Sequence, residues 1–264
     1  MKKFIFILFL VSTLILGGCV NKDVGIDATP SIPNPPIVED ILPDDFEQDE
    51  EEQKKKKGYI VSTVNGLRVR SKPNSSSGVV GNLDKNDCVL YLGEEGSYYK
   101  TIYKETPAYI HSSYCKIIEV DFSTDSVEKA IDFGCKLLGY PYVWGSERYH
   151  WGNGKLNTNF VNGEFDCSAF VQYVYYKANG VILDVTSRAQ VNNGVEIKKS
   201  QLKRGDLMFF TNASRKNKTG NERIGHVGIY FGDNYILHTA SDHAVIEPIS
   251  SVRWSYYITA RRVV

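Results

Sequence analysis

Residues 20–57 of the 264-residue chain separate its N-terminus from the segment that can fold. Their composition cannot bury a hydrophobic core. Five prolines fall within residues 30–43, residues 40–52 are strongly acidic, and residues 54–57 are consecutive lysines. A segment of this kind stays extended and solvated, and it is typical of a tether. The fold must therefore be built from residues 58–264, a length that allows two small domains.

The N-terminus has the layout of an export signal. Two lysines precede an apolar run, residues 4–16, that is too short for an ordinary membrane-spanning helix. The next residues complete the string Leu-Gly-Gly-Cys at 16–19, which resembles a bacterial lipobox. We therefore predict a lipoprotein signal peptide at residues 1–18, and a lipid anchor on Cys19 followed by a disordered tether at residues 19–57. The alternative is a simple signal peptide in which Cys19 is incidental.

Charge and cysteine spacing argue against two classes of protein. Basic and acidic residues balance to a formal net charge of zero, so no basic field favours nucleic acid as a partner. The cysteines match no zinc ribbon or finger, and we predict no metal site. Cys88 and Cys115 could form a disulfide outside the cytoplasm, if the fold brings them close enough.

Residues 58–120 have the pattern of a small all-β barrel, with short β-rich runs between turn signals. Residues 64–73, Val-Asn-Gly-Leu-Arg-Val-Arg-Ser-Lys-Pro, resemble the opening of bacterial SH3-like domains. Residues 108–114, Ala-Tyr-Ile-His-Ser-Ser-Tyr, resemble their closing segment. The resemblance implies a domain that positions a catalytic partner or holds wall polymer and performs no chemistry itself.

Residues 121–264 place helices before strands, which indicates an α+β fold. Asp125 is predicted to cap a first helix, with Glu128 in the capping-box position and Cys135 on the apolar face. A second helix is predicted from about Cys167 to Asn179. The predicted strands cover residues 206–211, 226–231, 235–239 and 256–263.

Cys167 stands at the predicted start of the second helix, directly after Asp166. Unpaired N–H groups and the helix dipole favour negative charge at such a position, and helix N-termini lower the pKa of cysteine. We therefore expect a reactive thiolate whose own backbone N–H can help bind an oxyanion. The alternative is a small buried residue of the core.

His226 and His238 fall on two predicted strands joined by a turn at residues 232–234. A loop of odd length centred on Gly232 would place the two histidines directly opposite each other on one face. With Cys167 they would supply a nucleophile, a base and a group that orients the base. A metal pair and two hydrogen-bonded structural histidines are the alternatives, although no third metal ligand stands at an obvious spacing.

Four motifs in order resemble those of NlpC-type cell-wall endopeptidases. They are Gly-Tyr-Pro-Tyr-Val-Trp-Gly at 139–145, Phe-Asp-Cys-Ser-Ala-Phe-Val at 165–171, Arg-Gly-Asp-Leu-Met-Phe-Phe at 204–210 and Gly-His-Val-Gly-Ile-Tyr at 225–230. The resemblance covers about residues 124–264 and implies a papain-like cysteine peptidase fold. It also implies hydrolysis of the bond between γ-D-glutamate and the diamino acid of peptidoglycan stem peptides.

The resemblance also implies a role for individual residues. It makes Cys167 the nucleophile, His226 the base and His238 the orienting residue. It places Tyr142 beside the nucleophile, and Asp166 and Ser168 in the substrate groove. From the residues alone, Asp166 could simply cap the helix and Ser168 could be an ordinary first-turn residue. Trp144 is interpreted as a packing residue.

The sequence departs from the family pattern in three places. Ala169 stands where a glycine is usual. Residues 146–164 form an unusually long connection, which is either a lid over the groove or a surface insertion. Val185 stands near a position that often carries an arginine, which leaves the recognised peptide terminus open.

Together these observations predict a monomeric peptidoglycan hydrolase, exported and anchored to the bacterial membrane by lipid. The papain-like peptidase domain, residues 121–264, follows the SH3-like domain at residues 58–120. Peptide cleavage would proceed through a thioester on Cys167 and needs no metal or organic cofactor. A non-catalytic wall-binding lipoprotein, and an amidase or acyltransferase on the same fold, are the alternatives.

Overall fold

The computed structural model describes residues 55–240 and 242–264. The predicted signal peptide, the lipidation of Cys19 and most of the predicted tether lie outside the described residues. No helix within the described ranges is both long enough and apolar enough to cross a membrane.

The N-terminal part of the described chain is all-β, as predicted. Its strands are β1 (Lys56–Ser62), β2 (Leu67–Arg70), β3 (Val79–Leu83), β4 (Cys88–Leu90), β5 (Glu94–Glu95), β6 (Tyr98–Tyr103), β7 (Thr106–His111) and β8 (Cys115–Asp121). They form two antiparallel sheets, in the orders β4-β1-β8 and β3-β2-β7-β6-β5. Inward and outward side chains alternate along β2, where Leu67 and Val69 are buried while Arg68 is exposed. Cys88 and Cys115 are free thiols, so the structure does not contain the disulfide that the sequence allowed.

The C-terminal part combines helices with one antiparallel sheet, so the predicted α+β class is confirmed. Its elements are α1 (Asp125–Lys136), α2 (Cys167–Asn179), α3 (Ser187–Gln190), β9 (Val195–Ile197), β10 (Leu207–Phe210), β11 (His226–Gly232), β12 (Tyr235–Ala240), β13 (His243–Pro248), α4 (Ser251–Ser255) and β14 (Tyr257–Arg262). The sheet order is β13-β12-β11-β10-β14-β9. The strands β9 and β13 and the short helices α3 and α4 were not predicted from the sequence.

The helices α1 and α2 pack against the sheet and place the start of α2 beside β11. Gly134 allows this approach, because a Cβ at that position would collide with the Leu237 side chain of β12. Phe170 and Val174 of α2 are fully buried in the same core. The first turn of α2 is therefore held beside the strand that carries His226.

The start of α1 differs from the prediction. Thr124, not Asp125, is the N-cap residue, and its hydroxyl accepts from the backbone N–H of Val127 at 3.4 Å. Glu128 accepts from the backbone N–H of Ser123 at 3.2 Å, but it also accepts from Arg204. Cys135 is fully buried in the core, as predicted.

Arg204 joins the barrel to the α+β part. Its Nε donates to Glu128 of α1 at 2.7 Å, and its Nη1 donates to the carbonyl oxygen of Phe231 at 2.6 Å. Its Nη2 also donates to the hydroxyl of Tyr59 on β1. Arg204 and Glu128 are both buried, and burying an ion pair costs free energy unless every donor has a partner. The guanidinium meets that condition only with residues from both parts in place.

The turn between β6 and β7 makes a second junction. Lys104 and Glu105 both have positive φ, and their N–H groups donate to the carbonyls of Leu138 and Lys136 at the end of α1. The Glu105 carboxylate then accepts from the Tyr140 hydroxyl at 2.9 Å. The barrel therefore supports the segment that leads to Tyr142.

Candidate active site

Cys167 is the first residue of α2, and Asp166 caps that helix as the sequence allowed. Oδ1 of Asp166 accepts from the backbone N–H groups of Ser168 at 3.0 Å and Ala169 at 2.9 Å. This cap satisfies two of the helix's free N–H groups and fixes the position of the thiol.

The expectation of a lowered pKa for Cys167 is wrong. Burial raises the pKa of this thiol to about 11, and the negative charge of Asp166 adds to the rise. Backbone N–H groups of Val227 and Ser168 and the charge of Arg148 act in the opposite direction, without overcoming burial. The Asp166 carboxylate occupies the helix terminus that was expected to stabilise a thiolate. The resting group is therefore the neutral thiol.

A continuous set of hydrogen bonds extends from His226 into the sheet. Nε2 of His226 lies 2.8 Å from Nδ1 of His238, and Nε2 of His238 lies 3.0 Å from Oε1 of Glu247. Arg253 donates to the same carboxylate oxygen at 3.2 Å. His238 is fully buried and His226 is partly buried. The four side chains thus form a relay from β11 through β12 to β13 and α4.

The carboxylate at the end of this relay sets both histidine tautomers. Burial raises the pKa of Glu247, but the hydrogen bond from His238 and the charge of Arg253 outweigh it, so the net shift is downward. An ionised carboxylate can only accept, so Nε2 of His238 carries a proton and its Nδ1 accepts. Nε2 of His226 must then donate, which leaves Nδ1 of His226 unprotonated and available as a base.

Both imidazoles are neutral in the resting site. Burial lowers the pKa of His226 well below its usual value, and the neighbouring His238 and Arg253 lower it further. Burial also lowers the pKa of His238, although Glu247 counteracts part of that effect. The resting site therefore holds a neutral thiol and neutral imidazoles, and the thiol accepts from the backbone N–H of Val227, the residue after His226.

The predicted hairpin register was wrong by two residues. Ile229 pairs with Leu237, and a bulge between Tyr230 and Gly232 shifts the strands. His238 consequently lies over Gly228, where an added Cβ would come within 2.9 Å of the Cβ of His238. The histidines still meet as diagonal neighbours, because Gly228 leaves room between them.

The position of Glu247 in the site was not predicted from the sequence. The available signal was a carboxylate ending an apolar run, Ala244 to Ile246, directly after the predicted hairpin. In the structure this run is the buried part of β13, and Val245 pairs with His238. If residues 243–248 had been predicted as a third strand of the hairpin, Glu247 would have been expected near His238.

Two adjoining cavities open onto the thiol and the imidazole. One, of about 400 Å³, is lined by Cys167 together with Tyr142, Asp166 and Ser168. The other, of about 430 Å³, is lined by His226. Tyr142, Asn212 and Gly225 line both, so the cavities are halves of one groove. The structure thus brings all of the predicted site residues outside the N-terminal segment together, with His238 behind His226.

Residues 146–164 contribute Arg148 to the wall of the groove. Arg148 donates to Oδ2 of Asp166 at 2.8 Å, to the hydroxyl of Ser168 at 3.1 Å and to the carbonyl oxygen of Val185 at 2.6 Å. His150 is fully buried, which ties the segment to the body of the fold. Trp144 is 86% exposed at the rim of the cavity, so its interpretation as a packing residue was wrong.

The metal alternative finds no support in the geometry. Within residues 55–240 and 242–264, no group of three or more His, Cys, Asp or Glu side chains is arranged to hold a metal ion. The histidine pair is instead hydrogen-bonded to a carboxylate.

Comparison with known proteins identifies two domains. Residues 139–263 match the NlpC/P60 family, and residues 65–116 match the bacterial SH3 domain. Both predicted resemblances are confirmed over these segments.

Several relatives and solved structures are similar to this chain. It is 34% identical over 150 residues to the peptidoglycan DL-endopeptidase CwlO of Bacillus licheniformis, covering 55% of this chain and 30% of the relative. It is 31% identical over 129 residues to the gamma-D-glutamyl-L-lysine dipeptidyl-peptidase of Bacillus cereus, covering 49% and 33%. The crystal structure of an NlpC/P60 family protein from Bacillus cereus matches with a TM-score of 0.42 and 23% identity, covering 80% of this chain and 65% of that one. The chain spans only 30% and 33% of the two curated relatives.

Proposed function

Because the chain carries an NlpC/P60 domain and a bacterial SH3 domain, we propose that it is a peptidoglycan hydrolase. Its activity is that of a cysteine endopeptidase that cleaves the bond between γ-D-glutamate and the diamino acid of stem peptides. The observation that carries this proposal is the relay Glu247–His238–His226, which opens onto the same groove as the buried thiol of Cys167. The names of the two bacillary relatives support the substrate class.

The reaction begins from the neutral thiol and imidazole. Nδ1 of His226 takes the Cys167 proton as the sulfur attacks the scissile carbonyl carbon, which avoids a free buried thiolate. The imidazolium then gives its proton to the leaving amine, the C–N bond breaks and a thioester remains. Water, activated by His226, hydrolyses the thioester and releases the thiol.

Donors for the intermediate's oxyanion come from the wall of the groove. The backbone N–H of Cys167 lies at the start of α2, where it has no partner within the helix. Burial raises the pKa of Tyr142, and the nearby Cys167 and Asp166 raise it further, so its hydroxyl stays protonated and able to donate. His238 holds the base in place without exchanging the reacting proton.

The other parts of the chain fit the same function. We assign the SH3-like domain to residues 58–120, where it would hold the enzyme on the wall. Residues 121–264 perform the chemistry. We place the protein outside the cytoplasm, as a monomer anchored to the bacterial membrane through lipid on Cys19. The chemistry proposed needs no metal or organic cofactor.

Digestion of defined muropeptides, with products identified by mass spectrometry, tests the proposal. The expected products end in γ-D-glutamate and begin with the diamino acid, and Cys167→Ala should produce neither. Cys135→Ala is the matched control, because that thiol is buried in the core away from the groove. Cleavage at the bond between muramic acid and alanine would indicate an amidase. Binding to the wall without any cleavage would indicate a non-catalytic adaptor.

A further inference from the structure

The cavity lined by Cys167 carries more positive than negative charge. Three arginines line it, Arg148, Arg188 and Arg215, against a single carboxylate, Asp166; we call it the arginine cavity. Arg148 and Asp166 neutralise each other through their 2.8 Å contact, and both side chains are largely buried. The unmatched charge therefore comes from the other two arginines.

Arg188 and Arg215 share one counterion. Nε of Arg188 lies 3.5 Å from Oε1 of Glu222, and Nη1 of Arg215 lies 3.1 Å from Oε2. Glu222 is mostly exposed, with 62% of its side-chain surface open to solvent, and it does not line the cavity. Among the described residues, no second carboxylate lies within ion-pair distance of either arginine. Two guanidinium groups and one carboxylate leave one positive charge for a ligand to match.

The proposed reaction assigns the two cavities to two parts of the substrate. The acyl group becomes bonded to the Cys167 sulfur, so it must occupy the arginine cavity. The leaving amine receives its proton from His226, so it departs through the cavity that His226 lines. The arginines therefore face the acyl side of the scissile bond.

A γ-linked glutamyl unit carries a negative charge on that side. Its scissile carbonyl belongs to the side chain, so the α-carboxylate remains free, close to the reacting carbon and in the part of the substrate that becomes the acyl group. Guanidinium groups bind carboxylates through charged, often paired hydrogen bonds. Amidation of this carboxylate removes the charge and replaces one acceptor oxygen with a donor.

We propose that Arg188 and Arg215 form an acyl subsite that binds the free α-carboxylate of γ-D-glutamate and thereby selects non-amidated stem peptides. This inference rests on the proposed function and names the form of the substrate that the site takes. Arg148, held by Asp166 and Ser168, forms the wall against which the acyl group packs.

A pair of synthetic peptides tests the selectivity: L-Ala-γ-D-Glu-L-Lys-D-Ala and the same peptide with D-isoglutamine. The wild-type enzyme should prefer the free carboxylate by about tenfold to a hundredfold in kcat/KM, the range expected of a charged hydrogen bond. Arg188→Gln and Arg215→Gln should each reduce this preference, and the double variant should bring the ratio close to one. The kcat/KM for the free-carboxylate peptide should fall by a much larger factor than that for the amidated peptide, whereas a merely structural defect would lower both values by the same factor.

Arg223→Gln is the matched control. Arg223 is exposed and lies in the same surface segment as Arg215, but its side chain does not line the cavity. It should keep the wild-type ratio. Equal cleavage of both peptides by the wild-type enzyme, or an unchanged ratio in the double variant, overturns the inference and leaves the proposed function intact. Cleavage of neither peptide, nor of the same pair with meso-diaminopimelate in place of L-Lys, overturns both.

Discussion

Replacing Glu247 tests whether a carboxylate outside the predicted triad controls the base. In Glu247→Ala, the Nε2–H of the buried His238 loses its acceptor at 3.0 Å. His238 can then move its proton to Nδ1, which lies 2.8 Å from Nε2 of His226. His226 would have to accept at Nε2 and carry its own proton on Nδ1, where it can no longer act as a base.

The size of the effect follows from the bond that is lost. A hydrogen bond to a charged partner contributes roughly 1.5–3 kcal/mol, so we expect kcat/KM to fall by about tenfold to a hundredfold. Glu247→Gln should lose less, because its amide oxygen can still accept from His238 and preserve both tautomers. Glu247→Ala also removes the carboxylate that accepts from Arg253, so the Tm of this variant should decrease slightly.

The assay is kcat/KM on one defined muropeptide, followed across pH for each variant. Burial, not Glu247, dominates the lowered pKa of His226, so the acid limb of the profile should stay below pH 6.5 in all variants. Glu196→Ala serves as the control, because it removes an exposed carboxylate from the sheet edge. Wild-type kcat/KM in Glu247→Ala, with the fold intact, would refute the tautomer argument.

Three further predictions concern other residues. His238→Gln should retain a higher kcat/KM than His238→Ala, because an amide oxygen can accept from His226. Complete loss of the orienting group should cost about 2–5 kcal/mol of transition-state stabilisation. Equal activities of the two variants would contradict the orienting role. Gly228→Ala should lower both Tm and kcat/KM, because the new methyl group would lie 2.9 Å from the Cβ of His238; an unchanged melting curve and rate would show that the strand adapts. Cys19→Ala should release the protein from membranes, as fractionation and fatty-acid labelling of cells would show, and unchanged partitioning would reject the lipid anchor.

Local patterns predicted the position of Cys167 at a helix start but not its electrostatics. A cysteine preceded by aspartate at the start of an apolar helix is visible in the sequence, and α2 begins at Cys167. The sign of its pKa shift was wrong because packing against other segments buries the thiol, and because the negative charge of Asp166 adds to the rise. Neither effect can be read from helix position alone.

Contacts between distant segments account for the other misses. The bulge at Tyr230 changed the hairpin register, and a pattern of period two contains no sign of it. Glu247 reaches the site from a third strand, and Arg148 reaches it from a long connection whose course depends on the carbonyl oxygen of Val185. Residues of this kind are found by geometry, because their spacing along the chain carries no periodic signal.

The Arg204 junction has a consequence for how the protein unfolds. Removing the barrel would take the Tyr59 hydroxyl from Arg204 and expose the surface of the α+β part, around Phe231, that Tyr59 normally covers. Loss of the Tyr59 contact would also weaken the positioning of Glu128 and Phe231, since both accept hydrogen bonds from the same guanidinium. The two sequence domains should therefore melt in one cooperative transition, and a fragment beginning at residue 121 should be less stable than the same residues within the whole chain. An SH3-like domain exchanged from a relative would need a hydroxyl in the place of Tyr59 to restore that stability.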